Sequence, residues 1–156
     1  MIREYTPEDR EFVLEQVICL QKKIKMVSMP FLGKSMKNKR RICEKFLKTI
    51  IKPENKCYIF LNQDGRKIGF SCFRPTTNNN CFLEFFVKDN SVNMTGGLMK
   101  KFRNHIETVR IQNGYDKMFA QVVKRNEYER WFDMSKRYFN AKEINTESKL
   151  YKLIQF

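Results

Sequence analysis

The sequence predicts a mixed α/β fold: a central sheet of about six or seven strands flanked by about four helices, in a single domain over residues 1–156. Three observations carry that expectation. Short runs of β-branched and aromatic residues alternate with segments of helical period, in the order β-α-α-β-β-β-α-β-α-β-β. A turn at Asn62-Gln63-Asp64-Gly65 joins two strand runs into a hairpin. A strand, a helix and another strand follow one another between residues 81 and 123, which makes the two strands parallel neighbours across a right-handed crossover.

Each element has a local cause. Ile2–Tyr5 reads as a short strand. Thr6-Pro7-Glu8-Asp9 then supplies a cap residue, a proline for the first helical position and an acid three residues on, so a helix starts there. Val13, Val17, Leu20 and Ile24 give it one apolar face, and it should stop before Pro30. A second helix is expected over 35–51, with Ile42, Cys43, Phe46, Leu47, Ile50 and Ile51 as its stripe and Pro53 beyond its end. Cys57–Leu61 and Lys67–Phe73 are the hairpin strands, and Cys81–Val87 is a third strand run. The helix over 96–113 carries Leu98, Met99, Phe102, Ile106 and Val109, and Gly114 ends it. Lys117–Val123 is a strand, 126–137 a helix, and 142–145 and 150–154 are closing strands.

Composition narrows the functional classes. Hydrophobic residues make up 42% of the chain, with 14 Phe, which excludes a disordered tail. No run approaches the ~20 apolar residues of a membrane span, so no membrane association is expected. The opening Met1-Ile2-Arg3-Glu4 has no secretory character. The five cysteines form no C-x-x-C pair, and they read as reduced core residues of a cytoplasmic protein. The single histidine, His105, offers no zinc-ligand spacing and reads as a surface or flank residue of its helix; no metal is expected. The net charge of +14 is uneven, because residues 31–56 hold nine basic and two acidic side chains. A basic face over 34–52, formed by Lys34, Lys37, Lys39, Arg40, Arg41, Lys45, Lys48 and Lys52, suits a polyanion, either nucleic acid or an acidic protein. A solvated helix surface would look the same. No zinc-finger, homeodomain or RNA-recognition signature accompanies it.

In element order the chain resembles the GNAT N-acetyltransferase superfamily. Ile2–Asp9 resembles the family's first strand and helix cap. Asp64-Gly65-Arg66-Lys67-Ile68-Gly69-Phe70 is similar to its hairpin, with a hydrophobic-glycine pair on the return strand. Leu83–Val87 resembles its central strand, and Asn126, Trp131-Phe132 and Tyr138-Phe139 resemble the spacing after its fifth strand. The family's pyrophosphate loop, Arg or Gln, two residues, Gly, one residue, then Gly or Ala, falls here on Asn90, Asn93 and Thr95 and matches none of them. Gly96-Gly97 comes one or two residues late.

What the resemblance implies is acetyl transfer from acetyl-CoA to an amine of an unknown acceptor. The pantetheine arm would bond backbone groups of Phe85, Phe86 and Val87. The CoA phosphates would lie on Asn93, Met94, Thr95, Gly96 and Gly97, and Asn126 would touch the pantetheine arm. A helix N-terminus holds phosphate through free amides and its positive end. Glu84 is the candidate base. Alternation sets it between Phe82 and Phe86 on one face of its strand, where desolvation would raise its pKa; the other reading is a Glu near a strand edge or paired with one of the many Lys or Arg side chains. The family's acid tyrosine falls near Phe132 or Asp133, neither of which has a phenol, so Tyr128 or Tyr138 would have to replace it. A second reading is a GNAT-like module without catalysis, such as a phage or viral accessory protein, binding through the 34–52 face.

Overall fold

The computed structural model describes residues 1–24, 35–89, 91–93, 95–123, 128–144 and 151–156, and side chains for all of these except 22–24, 85, 122–123, 128–131 and 151–152. Strands lie in the order β1-β2-β3-β4-β5-β7-β6, and the contacts divide the chain into two compact units.

The first unit is Met1–Phe73 with Phe85–Asn93. It opens with strand β1 (Ile2–Glu4) and a single 3-10 turn at Pro7–Asp9, which leads into helix α1 (Arg10–Ile24). The proline and the capping residues act as expected, but the first turn winds tighter than an α-helix. Asp9 is fully buried there. Its carboxylate accepts a forked pair of 2.7 Å bonds from Arg3, a 2.9 Å bond from the Thr6 amide and a 2.7 Å contact from the Lys67 ammonium. One side chain thus ties β1, the helix entry and β3.

Helix α2 (Met36–Ile50) is capped by Ser35, whose hydroxyl accepts from the Asn38 amide at 3.3 Å. Strands β2 (Lys56–Leu61) and β3 (Lys67–Pro75) pair antiparallel, and Gly65 takes the left-handed turn position at φ 77°. Val13, Leu14, Val17 and Ile18 of α1 pack with Cys43, Leu47 and Ile50 of α2 over Ile59, Phe70, Cys72 and Val87. Each large side chain so buried contributes about 1.5–3 kcal/mol. The α1 stripe is wider than the sequence reading, which left out Leu14 and Ile18.

The second unit is Arg74–Glu84 with Met94–Phe156. Strand β4 (Cys81–Lys88) begins in it and ends in the first. Helix α3 (Gly96–Gln112) leads to β5 (Met118–Val123), which pairs with β4 in parallel from Cys81↔Met118 to Leu83↔Ala120, as the crossover predicts. Helix α4 (Tyr128–Phe139) precedes β6 (Lys142–Ile144) and β7 (Tyr151–Gln155), and β7 lies between β5 and β6, antiparallel to both. Phe102 of α3 meets Phe139 of α4 edge-on at 5.6 Å, and Phe139 meets Phe156 at 5.4 Å. The Asn78-Asn79 turn needs two left-handed residues, at φ 58° and 55°, which explains the asparagine run.

One reading of the helix faces is corrected. His105 is not on the surface or flank of α3. It is buried with Phe102, Ile106 and Val109, and desolvation pushes its imidazole down to about 4.

Candidate functional site

The segment joining β4 to α3 begins with a network around Asp89. The Asp89 amide donates to the Ile68 carbonyl at 2.8 Å. The carboxylate accepts from the Ser91 hydroxyl and amide at 2.7 and 2.8 Å, and from Arg66 at 3.2 Å, all of which hold it below the usual carboxylate range. Lys88 donates to the Val92 carbonyl at 2.6 Å. Asn93, at the end of this segment, is exposed, and Met94 lies outside the described residues.

Helix α3 starts at Gly96, with Thr95 as an extended N-cap at ψ 162°. The Thr95 hydroxyl accepts from the Leu98 amide at 3.3 Å, and its carbonyl accepts from the Met99 amide at 3.0 Å. Among the described residues, nothing accepts from the amides of Gly96 and Gly97. Both glycines are exposed, the first turn has no acid, and Lys100 and Lys101 are exposed in the next. Two N–H groups at the positive end of a 17-residue helix thus have no acceptor among the described residues, and an anion suits them.

Tyr138, at the end of α4, reaches the same place. A Cβ at Gly96 would stand 3.5 Å from the Tyr138 hydroxyl oxygen. The Arg137 guanidinium lies 5.6 Å from the centre of the Tyr138 ring. The first turn of α3 thus gathers two amides and a phenol, with a guanidinium close behind.

Glu84 is placed differently from its expected setting. It is exposed, and its carboxylate accepts from Arg74 Nε at 2.8 Å. Arg74 also covers the Phe82 ring at 5.4 Å, so the face that should have desolvated the carboxylate carries a cation instead. Nothing in the sequence marks Arg74, because its meeting with Glu84 depends on how two strands are registered.

In the first unit, Phe86 stands edge-on to Phe60 at 5.9 Å, and Val87 is buried in the core. The hydrophobic-glycine pair has a steric reason: a Cβ at Gly69 would come within 3.1 Å of the Val87 carbonyl oxygen. The side chains of Phe85 and Tyr128, and all of Asn126, fall outside the described residues.

The basic face of α2 is exposed at Lys37, Arg41, Lys45 and Lys48. Arg40 does not belong to it as an open cation. It makes a forked bond to Glu11 at 2.8 and 2.6 Å and approaches Glu44 at 3.3 Å. Lys34 is outside the described residues. Among the described residues no helix is long and apolar enough to cross a membrane, and no group of three His, Cys, Asp or Glu could hold a metal.

No family model and no curated protein matches the sequence. Solved structures do match. A mutant of the spermidine N-acetyltransferase SpeG from Vibrio cholerae superimposes with a TM-score of 0.71 at 9% identity, over 100% of this chain and 94% of that one. An aminoglycoside 6'-acetyltransferase type Ii gives 0.64 at 14% identity, over 100% and 96%. The aminoglycoside 6'-N-acetyltransferase from Enterococcus faecium gives 0.60 at 12%, over 100% and 96%. These likenesses establish the architecture, and the chain has the fold of the GNAT acetyltransferases.

Proposed function

We propose that this chain moves an acetyl group from acetyl-CoA to an amine. One observation carries the reading: the amides of Gly96 and Gly97, open at the start of the helix that follows the central strand. A pyrophosphate accepts from such amides, and the Tyr138 hydroxyl, 3.5 Å from where a Gly96 Cβ would stand, would donate a third bond. The loop lacks the family's usual glycines, and the Gly96-Gly97 pair supplies an equivalent opening inside the first turn. The solved structures that share the fold are of acetyltransferases, which supports the same reading.

In the transfer, the amine nitrogen attacks the thioester carbonyl, the C–N bond forms, and the C–S bond breaks. Glu84 takes the proton the amine gives up. Its carboxylate is paired with Arg74 at 2.8 Å, and an incoming ammonium competes with Arg74 for it. Tyr138 serves the phosphate end of the cofactor. A pantetheine arm separates that end from the sulfur, so one phenol cannot serve both, and Tyr128 is left as the candidate acid. The acceptor is an amine of unassigned class, and Lys37, Arg41, Lys45 and Lys48 would steer an acidic one.

Calorimetric titration with acetyl-CoA, followed by acetylation assays over polyamines, aminoglycosides and peptides, tests this. Saturable binding with release of free CoA is the expected result. Absence of binding at millimolar acetyl-CoA overturns the proposal and leaves only the fold.

A further inference from the structure

Two cysteines in the first unit face each other. Cys57 of β2 and Cys72 of β3 are direct partners in the antiparallel register, so their side chains lie on one face. Opposite residues in such a pair have Cα atoms about 4.5–5.5 Å apart. That falls inside the ~4.4–6.8 Å range a disulfide spans, so the register is compatible with a bond. Cys72 is fully buried and its thiol donates to the Ile50 carbonyl at 3.2 Å, whereas Cys57 is half-buried.

Cys57 also lines a cavity of about 390 Å³, with Tyr5, Tyr58, Lys52, Lys56 and Asn55 among its other walls. Asn55 is buried and donates through Nδ2 to the Ile50 carbonyl at 2.7 Å, and its Oδ1 has no partner among the described residues. Glu4 lines the same wall as the two lysines, and a hydrogen bond with Cys72 pulls the Cys57 thiol down against the opposing effect of burial. The buried thiols elsewhere behave otherwise: desolvation pushes Cys43 up to about 11 and Cys81 up to about 12.

We propose that Cys57 and Cys72 form a peroxide-oxidised dithiol site, with Cys57 as the attacked sulfur and Cys72 as the resolving one. The Cys57 thiolate attacks hydrogen peroxide from the cavity. An S–O bond forms, the O–O bond breaks, and the released hydroxide combines with the proton that Cys57 gave up on becoming the thiolate, leaving as water. Cys72 then loses its proton and attacks the sulfur of the Cys57 sulfenic acid. The S–S bond forms, the S–O bond breaks, and a second water leaves. Two thiols lose two electrons and one peroxide gains them. The product fastens β2 to β3 and takes from Ile50 the thiol bond it had accepted.

The test is exposure of the folded protein to a modest excess of hydrogen peroxide, then mass mapping under denaturing, alkylating conditions. A loss of two hydrogens, located to a linked Cys57–Cys72 peptide pair, is expected, with Cys43 and Cys81 recovered as thiols. Cys57→Ser should abolish the linkage. Cys72→Ala, which keeps the site apolar, should leave a sulfenic acid on Cys57 that dimedone captures. Each variant is first checked for the wild-type circular dichroism spectrum, and the mapping of treated against untreated wild-type protein decides the matter without any variant. Oxidation confined to the other half-buried cysteine, Cys19, or recovery of Cys57 as a free thiol, overturns the proposal. None of the residues involved belongs to the proposed acetyl-CoA site, so either idea can fail alone.

Discussion

Asp9 is a carboxylate sealed from water yet held by two cations and a backbone amide. The Arg3 fork, ahead of the Lys67 and Thr6 bonds, keeps it well below the usual carboxylate range. Breaking such a cluster leaves charge without its counterpart, and because Arg3 and Lys67 are each about a third exposed, the cost is reduced by water. Asp9→Asn should lower unfolding free energy by about 2 kcal/mol at pH 7, read by urea titration. The folded group is the stronger acid, so its contribution is complete above the unfolded value near 4 and declines as pH falls below that. The difference between wild type and variant should therefore narrow in acid. His105 acts over a different window. Its folded value of about 4 lies below the free value of 6.5, so the unfolded chain takes up the proton first and stability falls as pH drops from 6.5 towards 4. An NMR titration should show the imidazole still neutral at pH 5.5. The signal for its burial was present in the sequence, because 102, 105, 106 and 109 share one helix face. The polar character of an imidazole argues for a surface or flank position instead, and the helix period overrides it. Asp9 was legible as a cap but not as a hub, because its partners Arg3 and Lys67 reach it only once β1 and β3 are placed.

At the scale of elements, the first turn of α3 and the Gly69 approach make opposite predictions about glycine. Gly96→Pro suits its place. Proline is tolerated at the first helical position, the preceding Thr95 is already extended, and Tyr138 leaves ordinary contact distance for a new Cβ. The substitution deletes one open amide and little else. It should weaken CoA binding about tenfold, near 1.4 kcal/mol, while Tm stays level or rises. An unchanged affinity would separate the helix start from the cofactor. Gly69→Ala should do the reverse. The Val87 carbonyl has to yield by a few tenths of an ångström, so we expect a loss of about 1 kcal/mol in stability, measured by thermal denaturation. Helices and hairpin were legible because their period and punctuation are local. Element ends were less so: β3 runs to Pro75 and α4 runs to Phe139, beyond the expected limits. The Arg74–Glu84 pair and the Cys57–Cys72 pair were both invisible, because each needs the register of neighbouring strands.

For the whole molecule, the charge of +14 is a cost as well as a surface property. Lys37, Arg41, Lys45 and Lys48 recur at spacings of four and three along α2, where like charges repel. Raising sodium chloride from about 50 to 300 mM shortens the screening length from roughly 14 to 6 Å, so Tm should increase; a decrease would show that the ion pairs outweigh the repulsion. The placing of β7 has a consequence in time. It is translated after both β5 and β6, yet it is the strand that bonds each of them. Until residues 151–155 leave the ribosome, their two neighbours present bare backbone edges, and during that interval a chaperone or a second nascent chain could compete for those hydrogen bonds.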